Sequence, residues 1–499
     1  MPRYLLGIDV GTSGTKTVLV DEDGVVTDTA YVGYGIDTPM DDWAEQDPDA
    51  WVQAACDTIN KVVSKSGISD QDIAGIGFSG QMHGTVCLDS NGDPLLPATI
   101  WADQRSAAEV EYICDNVGLE NLARWTSNPI ATGFQAATLL WLVRHRPEIT
   151  DRIYTVLLPK DYVRYRLTGE IGTEASDASS TLLFDVARRR WSKDMLGALD
   201  LPQSWLPAVA ESSDIAGELT DASAKSVGLR SGIPVMYGGA DQPIAAVGNG
   251  VTQHGSAQST IGTGGQIFLS LDWPLVDSQL RTHSFCHTAP DRWYLMAATL
   301  SAGLSLKWFR EQVLQASHDL SYSDLSDEAS AVAAGSEGLF FAPYLAGERT
   351  PHMDPHARGG FVGLTLRHSR AHMTRAIMEG VTYGLREGLE IMRGLGAEVN
   401  QVVASGGGAR SPLWRQLQAD ILGCQVVTTN VAEQAGLGAA LIAGVGVGVW
   451  SSIEEAASCG VVHSDPIDPD AERARFYDVQ FGKYRLIYPA LRSVIHPAA

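Results

Sequence analysis

The 499-residue chain lacks several features that define other classes of protein. Its six cysteines are scattered, with no CxxC pair and no metal-ligand spacing, which argues against a disulfide framework or a zinc site. The longest nearly apolar run, residues 436–450, is too short and too rich in glycine to span a membrane. The first ten residues lead directly to Asp9 and lack the apolar core of a signal peptide. We therefore predict a cytoplasmic protein with reduced thiols and no membrane partner.

Positive charge is also scarce. The chain has 36 Lys and Arg against 59 Asp and Glu, which gives a formal net charge of −23. An acidic protein of this kind is not expected to bind nucleic acid or an anionic membrane. An anionic nucleotide is not excluded, because backbone amides and a bound metal ion set the local field. The length exceeds one ordinary hydrophobic core, so at least two domains are expected.

A short motif occurs twice in the chain. Residues 5–16, LLGIDVGTSGTK, predict an apolar strand that ends at Asp9 and runs into a glycine turn, and residues 259–265, STIGTGG, repeat this pattern. Such turns present backbone N–H groups and hydroxyls to a phosphate. We predict two similar domains that close on ATP, with Asp9 placed to hold the accompanying Mg²⁺.

The order of predicted elements is similar in the two halves. Three strands, a helix over residues 48–66 and a further strand over 74–80 open the chain, and the second half follows the same order. This order is typical of ribonuclease-H-like folds. We predict an α/β protein with domains at 1–243 and 244–499 and a glycine-rich hinge at about 239–255. Residues 436–450 predict a buried helix, and residues 473–488 predict a final helix that packs back on the body.

A third glycine turn, residues 406–408, ends a predicted strand and precedes a helix that begins near Pro412. A strand, a glycine turn and a helix make a common seat for an adenosine or phosphate group. Lys16, after the first turn, is either a phosphate ligand or a surface charge.

Asp241, in YGGADQP, follows a predicted strand at the proposed hinge. A kinase that acts on an alcohol needs a carboxylate to accept the hydroxyl proton, and an aspartate at the mouth between two domains meets that need. The alternative is that Asp241 caps the helix that follows it.

Two polar segments are candidates for a sugar site. SGQMHG places Met82 and His83 just after a strand, where His83 is predicted to donate a hydrogen bond to a sugar hydroxyl or is simply a satisfied loop histidine. IWADQR places Trp101, Asp103 and Arg105 at alternate positions, which predicts one shared face. An aromatic wall with charged hydrogen-bonding groups suits a polyol, and the alternative is an ordinary ion pair.

These motifs together resemble the FGGY carbohydrate kinases of the actin and sugar-kinase superfamily. The resemblance runs through essentially the whole chain and includes residues 358–380 and the adenosine-like segment SGGGARSPLWRQLQADILG. It implies a two-domain fold, ATP and Mg²⁺ as co-substrates, and transfer of the γ-phosphate to a terminal hydroxyl. SGQMHG, IWADQR and YLAGERTPHMDP are most similar to the xylulokinases, which implies a ketopentose, D-xylulose, as acceptor.

The resemblance also implies roles for individual positions. Asp241 matches the catalytic base, and Asp9 matches the carboxylate on the metal side. The implied sugar contacts are Met82, His83, Asp103 and Gln242, next to Asp241, and Trp101 joins them as the aromatic wall predicted from IWADQR. The implied nucleotide contacts are Thr12, Ser13, Gly262, Thr263, Gly303, Lys307, Gly407, Gly408 and Ser411. The chain departs from the family pattern at Thr138, where a lysine is common, and at Gln242, where many xylulokinases have asparagine.

Two alternatives stay open. One is a kinase for another ketose or polyol, such as L-xylulose, ribulose or a tetritol. The other is an ATP-driven binding protein of the actin or chaperone type, although such relatives lack a small-sugar cluster. Family habit also implies a homodimer.

Overall fold

The structure, a computed structural model, describes residues 3–316 and 320–496. The first half contains a seven-stranded mixed sheet. Its strands are β1 (Tyr4–Val10), β2 (Gly14–Asp21), β3 (Val26–Gly33), β4 (Ile73–Gly80), β5 (Ile215–Glu218), β6 (Pro234–Met236) and β7 (Gly239–Ala240). β1, β2 and β3 are antiparallel neighbours, whereas β4 lies parallel to β1, β6 and β7. The predicted order of three strands, a helix and a parallel strand is confirmed.

The second half repeats this plan in a six-stranded sheet. Its strands are β8 (Ser256–Ile261), β9 (Gly265–Leu271), β10 (His283–Cys286), β11 (Trp293–Thr299), β12 (Gln401–Ser405) and β13 (Gln425–Val427). They lie in the order β10-β11-β9-β8-β12-β13, with β8 parallel to β12 and antiparallel to β9. The predicted boundary between residues 243 and 244 falls inside the helix Asp241–Val247, and it stays a prediction.

Helices pack on both sheets, and residues 3–316 and 320–496 also contain five short two-stranded ribbons. The helices of the first half are Pro48–Ser66, Ala107–Thr126, Gln135–His145, Pro147–Thr150, Pro159–Thr168, Ala175–Ser179, Lys193–Leu199, Asp221–Val227 and Asp241–Val247. Those of the second half are Gly303–Trp308, Tyr322–Ser330, Arg370–Gly394, Pro412–Leu422, Gln434–Gly446, Ile453–Gly460, Ala471–Tyr484 and Ile487–Ile495. The ribbons pair Glu45–Gln46 with Ala98–Thr99, Val86–Leu88 with Thr155–Leu157, Thr173–Glu174 with Val209–Ala210, Phe184–Asp185 with Arg190–Trp191, and Phe340–Ala342 with Gly360–Val362.

The helix Pro48–Ser66 shows how local sequence sets the bounds of an element. The Asp47 side chain accepts a hydrogen bond from the Asp49 amide at the start, where Pro48 fits the first turn. Gly67, with φ 68°, ends the helix in the left-handed conformation. The predicted final helix is different, because the chain forms two helices, Ala471–Tyr484 and Ile487–Ile495, in its place.

The helix Gln434–Gly446 joins the two halves. It belongs to the second half in sequence but packs on β1 and β4 of the first sheet. A Cβ at Gly7 would lie 2.0 Å from the Gly436 carbonyl oxygen, and one at Gly77 would lie 2.0 Å from that of Ala439. This close backbone approach needs glycine in the sheet, which confirms the predicted buried, closely packed helix. Across residues 3–316 and 320–496, none of the helices combines the length and apolar character needed to cross a membrane.

Candidate active site

Asp9 and Asp241 lie at the same edge of the first sheet. In the strand register Asp9 pairs with Ser79 of β4, and Ser79 pairs with Gly239, two residues before Asp241. Because β1, β4 and β7 are parallel, their carboxyl ends meet at this edge. The Ser79 hydroxyl donates a hydrogen bond of 2.8 Å to Asp9 Oδ1. Topology therefore brings together two carboxylates that are 232 positions apart in the chain.

The electrostatics of this pair are unusual for aspartates. The pKa of Asp241 is raised to about 7, mainly by burial and to a smaller extent by the nearby Asp9, against the lowering effect of hydrogen bonds from Gln242. Burial also raises the pKa of Asp9, against the lowering effects of Ser79 and Lys16. Asp241 Oδ1 is buried and has no hydrogen-bond partner among the described residues. An unpaired, basic oxygen of this kind is suited to accept a proton.

Asp241 is the first residue of the helix Asp241–Val247, and Ala240 occupies the capping position. The cap carries no side-chain hydrogen bond. The interpretation of Asp241 as a helix cap is therefore wrong, and its carboxylate is left for another use. Gln242, the next residue, is half-buried at the same helix start.

The first glycine turn lies beside this edge. Gly11 donates a backbone hydrogen bond of 3.1 Å to the Gly14 carbonyl, which closes the turn. Ser13 is exposed at its tip. The Thr12 hydroxyl is held between two neighbours, because it donates to Gln81 Oε1 at 3.2 Å and accepts from Trp101 Nε1 at 2.9 Å. Gln81 was missed in the sequence, since nothing before folding links it to Thr12.

Lys16 lies on β2, just after the first glycine turn. Its ammonium group forms an ion pair with Glu433, which immediately precedes the helix Gln434–Gly446. This contact joins the first sheet to the second half of the chain. Of the two alternatives for Lys16, the structure therefore favours a charge used in an ion pair.

A cavity of about 590 Å³ lies between the second and third glycine turns. Of the predicted nucleotide contacts, its walls include Gly262, Thr263, Gly303, Lys307, Gly407, Gly408 and Ser411. Gly303 donates a backbone hydrogen bond of 2.8 Å to the Gly262 carbonyl, and this contact joins the second turn to the start of a helix. The cavity is large enough for a nucleoside, and the glycine turns form part of its wall.

Part of this cavity was not predicted. Ser326 and Asp327 come from the helix Tyr322–Ser330, whose sequence carries no glycine turn or other nucleotide signal. The Ser326 hydroxyl lies 2.6 Å from that of Ser411, which also caps the helix Pro412–Leu422. Other unpredicted lining residues are Ile261, Leu304, Leu306, Tyr322, Ser323, Met378, Arg410, Pro412 and Trp414.

His83 lies on the first-half side of the cleft, with φ 72°. Its ring stacks on Phe134 with centroids 3.9 Å apart, and Nδ1 lies 2.8 Å from the Ser180 carbonyl oxygen. Burial lowers the pKa of His83 to about 4, so the ring is neutral at pH 7. Since a carbonyl only accepts, Nδ1 carries the proton and Nε2 is an acceptor. The prediction that His83 donates to a sugar hydroxyl is corrected here: its free nitrogen accepts.

Met82 is buried next to His83. It packs in a cluster that contains Ala240 from the first half and Phe285 and Tyr294 from the second. The Tyr294 hydroxyl is buried without a hydrogen-bond partner in the described part of the chain. Ala240, the residue before the catalytic candidate Asp241, thus packs in a cluster formed by residues of both halves.

The predicted shared face of IWADQR is wrong. Trp101 is 44% exposed, whereas Asp103 is fully buried, because the segment is a turn and not an extended strand. Asp103 accepts hydrogen bonds from the Ala44 amide at 2.7 Å and from Arg105 Nε at 2.9 Å. Asp103 and Arg105 therefore form the ion pair that was the alternative to a sugar site. Sugar binding by Asp103 or Trp101 stays a prediction.

Arg349 was also missed. It lies in YLAGERTPHMDP, and its charge contributes to the lowered pKa values of both His83 and His283, after the larger effect of burial. The second half of the chain therefore brings a guanidinium close to the predicted sugar residues. Thr138, by contrast, is buried in the helix Gln135–His145, and its hydroxyl has no partner within the described ranges.

No group of three or more His, Cys, Asp or Glu side chains within residues 3–316 and 320–496 is arranged to hold a metal ion alone. Mg²⁺ in nucleotide sites usually takes one or two carboxylates and completes its shell with phosphate oxygens and water. Asp9, with Asp241 beside it, offers the carboxylates for a shared site of this kind.

Comparisons with known proteins agree with this geometry. The N-terminal domain model of the FGGY family of carbohydrate kinases matches residues 4–248, and the C-terminal domain model matches residues 257–447. The chain is 38% identical over 493 residues to a xylulose kinase of Staphylococcus epidermidis, covering 99% of this chain and 98% of the relative. It is 31% identical over 451 residues to a gluconokinase of Bacillus subtilis, covering 89% and 87%. A solved xylulose kinase from Rhodospirillum rubrum superposes with a TM-score of 0.93 at 28% identity, covering 99% of this chain and 100% of the other.

Proposed function

This chain belongs to the FGGY family of carbohydrate kinases, and from that membership we propose that it transfers the γ-phosphate of ATP to the terminal hydroxyl of D-xylulose. The product would be D-xylulose 5-phosphate. One observation supports phosphoryl transfer above the others: Oδ1 of Asp241, which is buried and has no hydrogen-bond partner among the described residues, lies at the sheet edge that carries the first glycine turn. Relatives named xylulose kinase in several bacteria support the choice of acceptor.

Asp241 acts as the general base. Its Oδ1 takes the proton as the sugar hydroxyl attacks the γ-phosphorus atom, and the bond to the leaving ADP oxygen breaks. Burial makes this carboxylate more basic than a solvated aspartate, which increases the drive for proton transfer. At pH above about 7 the carboxylate is ionised and ready to accept.

The residues present also fit a magnesium ion. Burial raises the pKa of both Asp9 and Asp241, and the charge of Asp9 adds to the rise at Asp241. A cation between them and the phosphates would favour the ionised form of both carboxyl groups. Asp9 would hold the ion on the phosphate side. When bound, Mg²⁺ neutralises negative charge on the triphosphate. The amides and hydroxyls of the turns at Thr12, Ser13 and Thr263 would bind the same group from both halves.

The sugar binds on the His83 side of the cleft. Neutral His83 accepts a hydrogen bond from a sugar hydroxyl at Nε2, and its stack on Phe134 fixes the ring plane. Met82 and Trp101 give the sugar apolar contacts, while Asp103 and Gln242 complete the predicted pocket. We infer that the cleft closes after the sugar binds, because a closed site excludes water as a competing acceptor.

The alternative function, an ATP-driven binding protein, is disfavoured, because both halves of the chain match domain models of a carbohydrate kinase family. A cytoplasmic location and a homodimer stay proposals, which cell fractionation and light scattering would test. The residues of the sugar pocket determine whether D-xylulose or another ketose or polyol is the preferred acceptor.

A coupled assay of ADP release with ATP and Mg²⁺ tests the function. The panel contains D-xylulose, L-xylulose, D-ribulose, erythritol, glycerol and gluconate, and the control is Asp241→Asn. We expect turnover to be greatest with D-xylulose and to fall by about 10²- to 10⁴-fold in the variant. Preference for another sugar would reassign the pocket and keep the base. Near-normal turnover by Asp241→Asn would overturn the proposed base.

A further inference from the structure

The strand that immediately precedes Asp241 has little support from its own sheet. β7 contains only Gly239 and Ala240, which pair with Ser79 and Gly80 of β4. A two-residue strand with one neighbour has few backbone hydrogen bonds to fix it. The position of the following carboxylate therefore depends on contacts from outside the sheet.

Two serines supply those contacts. The Ala240 amide donates a hydrogen bond of 3.1 Å to Ser176 Oγ, and the Gly238 amide donates one of 3.0 Å to the Ser212 carbonyl. Ser176 is fully buried, and Ser212 is nearly so. The backbone just before Asp241 is thus held at two amides.

Both serines are bound by one carboxylate, that of Glu174. Ser176 Oγ donates to Glu174 Oε1 at 2.9 Å, and Ser212 Oγ donates to Oε2 at 3.1 Å. The amides of Ser176 and Asp177 donate to the same carboxylate at 2.7 and 2.8 Å. The Ser176 hydroxyl has one proton, which it donates to Glu174, because the Ala240 amide can only donate to Ser176 Oγ. Its lone pair is thereby left for the Ala240 amide.

Lys160 supplies the charge that offsets this buried carboxylate. Its Nζ lies 2.8 Å from Asp161 Oδ1, 3.3 Å from Asp177 Oδ2 and 3.4 Å from Glu174 Oε1, and all four side chains are 0% exposed. A Cβ at Gly80 would lie 2.6 Å from Lys160 Cβ, so Lys160 packs directly on the strand that pairs with β7. The charged cluster therefore touches both β4 and the serines that hold β7.

We propose that Ser176, oriented by Glu174, is a positioning residue for the catalytic carboxylate of Asp241. The hydrogen bond from the Ala240 amide to Ser176 fixes the backbone from which Asp241 reaches the attacking hydroxyl. This role rests on the proposed function of Asp241 as general base. Small displacements of a reacting group lower the rate strongly, without an equal change in substrate binding.

The test compares Ser176→Ala with Ser179→Ala. Ser179 is a buried serine of the same short helix, whose hydroxyl accepts a hydrogen bond of 3.2 Å from the Cys286 amide and donates one of 2.6 Å to the Ser176 carbonyl. This variant therefore alters the same helix but leaves the contact of Ser176 Oγ with the Ala240 amide in place. Melting temperature, kcat and both KM values are measured for each variant and for the wild type. We expect similar losses of stability in the two variants. Only Ser176→Ala should lose kcat, by about 10- to 100-fold, with both KM values within about 2-fold of wild type.

Equal kcat in the two variants, or a rise in sugar KM with kcat retained, would overturn the positioning role. If Ser176→Ala does not fold, Ser212→Ala takes its place, because it removes a hydrogen-bond partner of Glu174 and keeps the backbone contact of residue 212 with the Gly238 amide. We expect Ser212→Ala to lower kcat by about 3- to 10-fold. An unchanged kcat in this variant would overturn the positioning role. The turnover of Asp241→Asn is measured in parallel. Near-normal turnover of Asp241→Asn would overturn the proposed general base. An inactive Asp241→Asn, together with a normal kcat for Ser176→Ala, would overturn the positioning role of Ser176 alone.

Discussion

Asp241 meets two opposing demands on one carboxylate. Proton transfer needs a basic oxygen without a partner, whereas folding stability disfavours an ionised group that is buried and unpaired. The raised pKa, about 7 against an ordinary 3.8, expresses this conflict. The rise in the pKa of Asp241 comes from burial first and from the neighbouring Asp9 second.

Asp241→Asn is therefore expected to raise stability while it removes activity. Above pH 7 the wild type must keep the buried group ionised, and this costs the folded state up to about 4 kcal/mol. Below the unfolded pKa of 3.8 the group is protonated in both states, and the cost is absent. Melting without ligands should show a higher melting temperature for the variant at pH 8 and little difference near pH 4. A lower melting temperature for the variant at pH 8 would contradict this account.

His83→Ala is expected to raise the KM for the sugar more than the KM for ATP. The neutral ring loses one acceptor and one stacked contact, which corresponds to a change of about 5- to 50-fold in sugar KM. Initial rates with each substrate varied give the two values. His145→Ala, which alters a half-exposed histidine beside Glu109, is the control. Equal changes in both KM values would remove His83 from the sugar pocket.

At the scale of elements, the helix Gln434–Gly446 decides how closely the halves approach. Its backbone packs on Gly7 and Gly77 in neighbouring strands of the first sheet, where no Cβ fits. The sequence predicted the buried helix from its small apolar residues. It did not show that the helix packs on the other half's sheet, because small residues fit any close partner.

Gly77→Ala is expected to destabilise the protein by at least about 2 kcal/mol, since the new Cβ would lie 2.0 Å from the Ala439 carbonyl oxygen. Gly482→Ala is the matched control. Gly482 lies in the helix Ala471–Tyr484 with nothing within 4 Å of the added Cβ, and alanine there should stabilise by about 0.5–1 kcal/mol. Urea unfolding measures both. Similar effects at the two positions would show that the close contact is relieved at little cost.

At the scale of the whole molecule, one ion pair joins the halves near the phosphate turns. Lys16 and Glu433 are about one-third exposed, with side-chain values of 32% and 29%. Solvent screening at this exposure keeps the interaction modest. The pair nevertheless ties β2 to the helix that bridges the two sheets.

Lys16→Met and Glu433→Gln, alone and together, should show a coupling of about 0.5–1 kcal/mol that falls in 1 M NaCl. Chemical unfolding of the four proteins gives this value. The KM for ATP should stay within about 2-fold of wild type in Lys16→Met, because the ammonium is engaged by Glu433. A large rise in ATP KM for Lys16→Met, with none for Glu433→Gln, would instead make Lys16 a phosphate ligand.

The sequence by itself determined the elements and the glycine turns, because these depend on short-range patterns: the meander of β1 to β3, the capped helix Pro48–Ser66 and the turns at Gly11, Gly262 and Gly407. Only the tertiary structure decided what meets at the site. The pairing of β4 with both β1 and β7 sets Asp9 beside Asp241. Packing of the turn after Ile100 makes Asp103 a buried ion-pair partner of Arg105. The hydrogen bond from His83 to Ser180 fixes the tautomer, and Arg349 approaches from the other half. Burial, proton positions and partners distant in sequence depend on long-range packing, which no local pattern records.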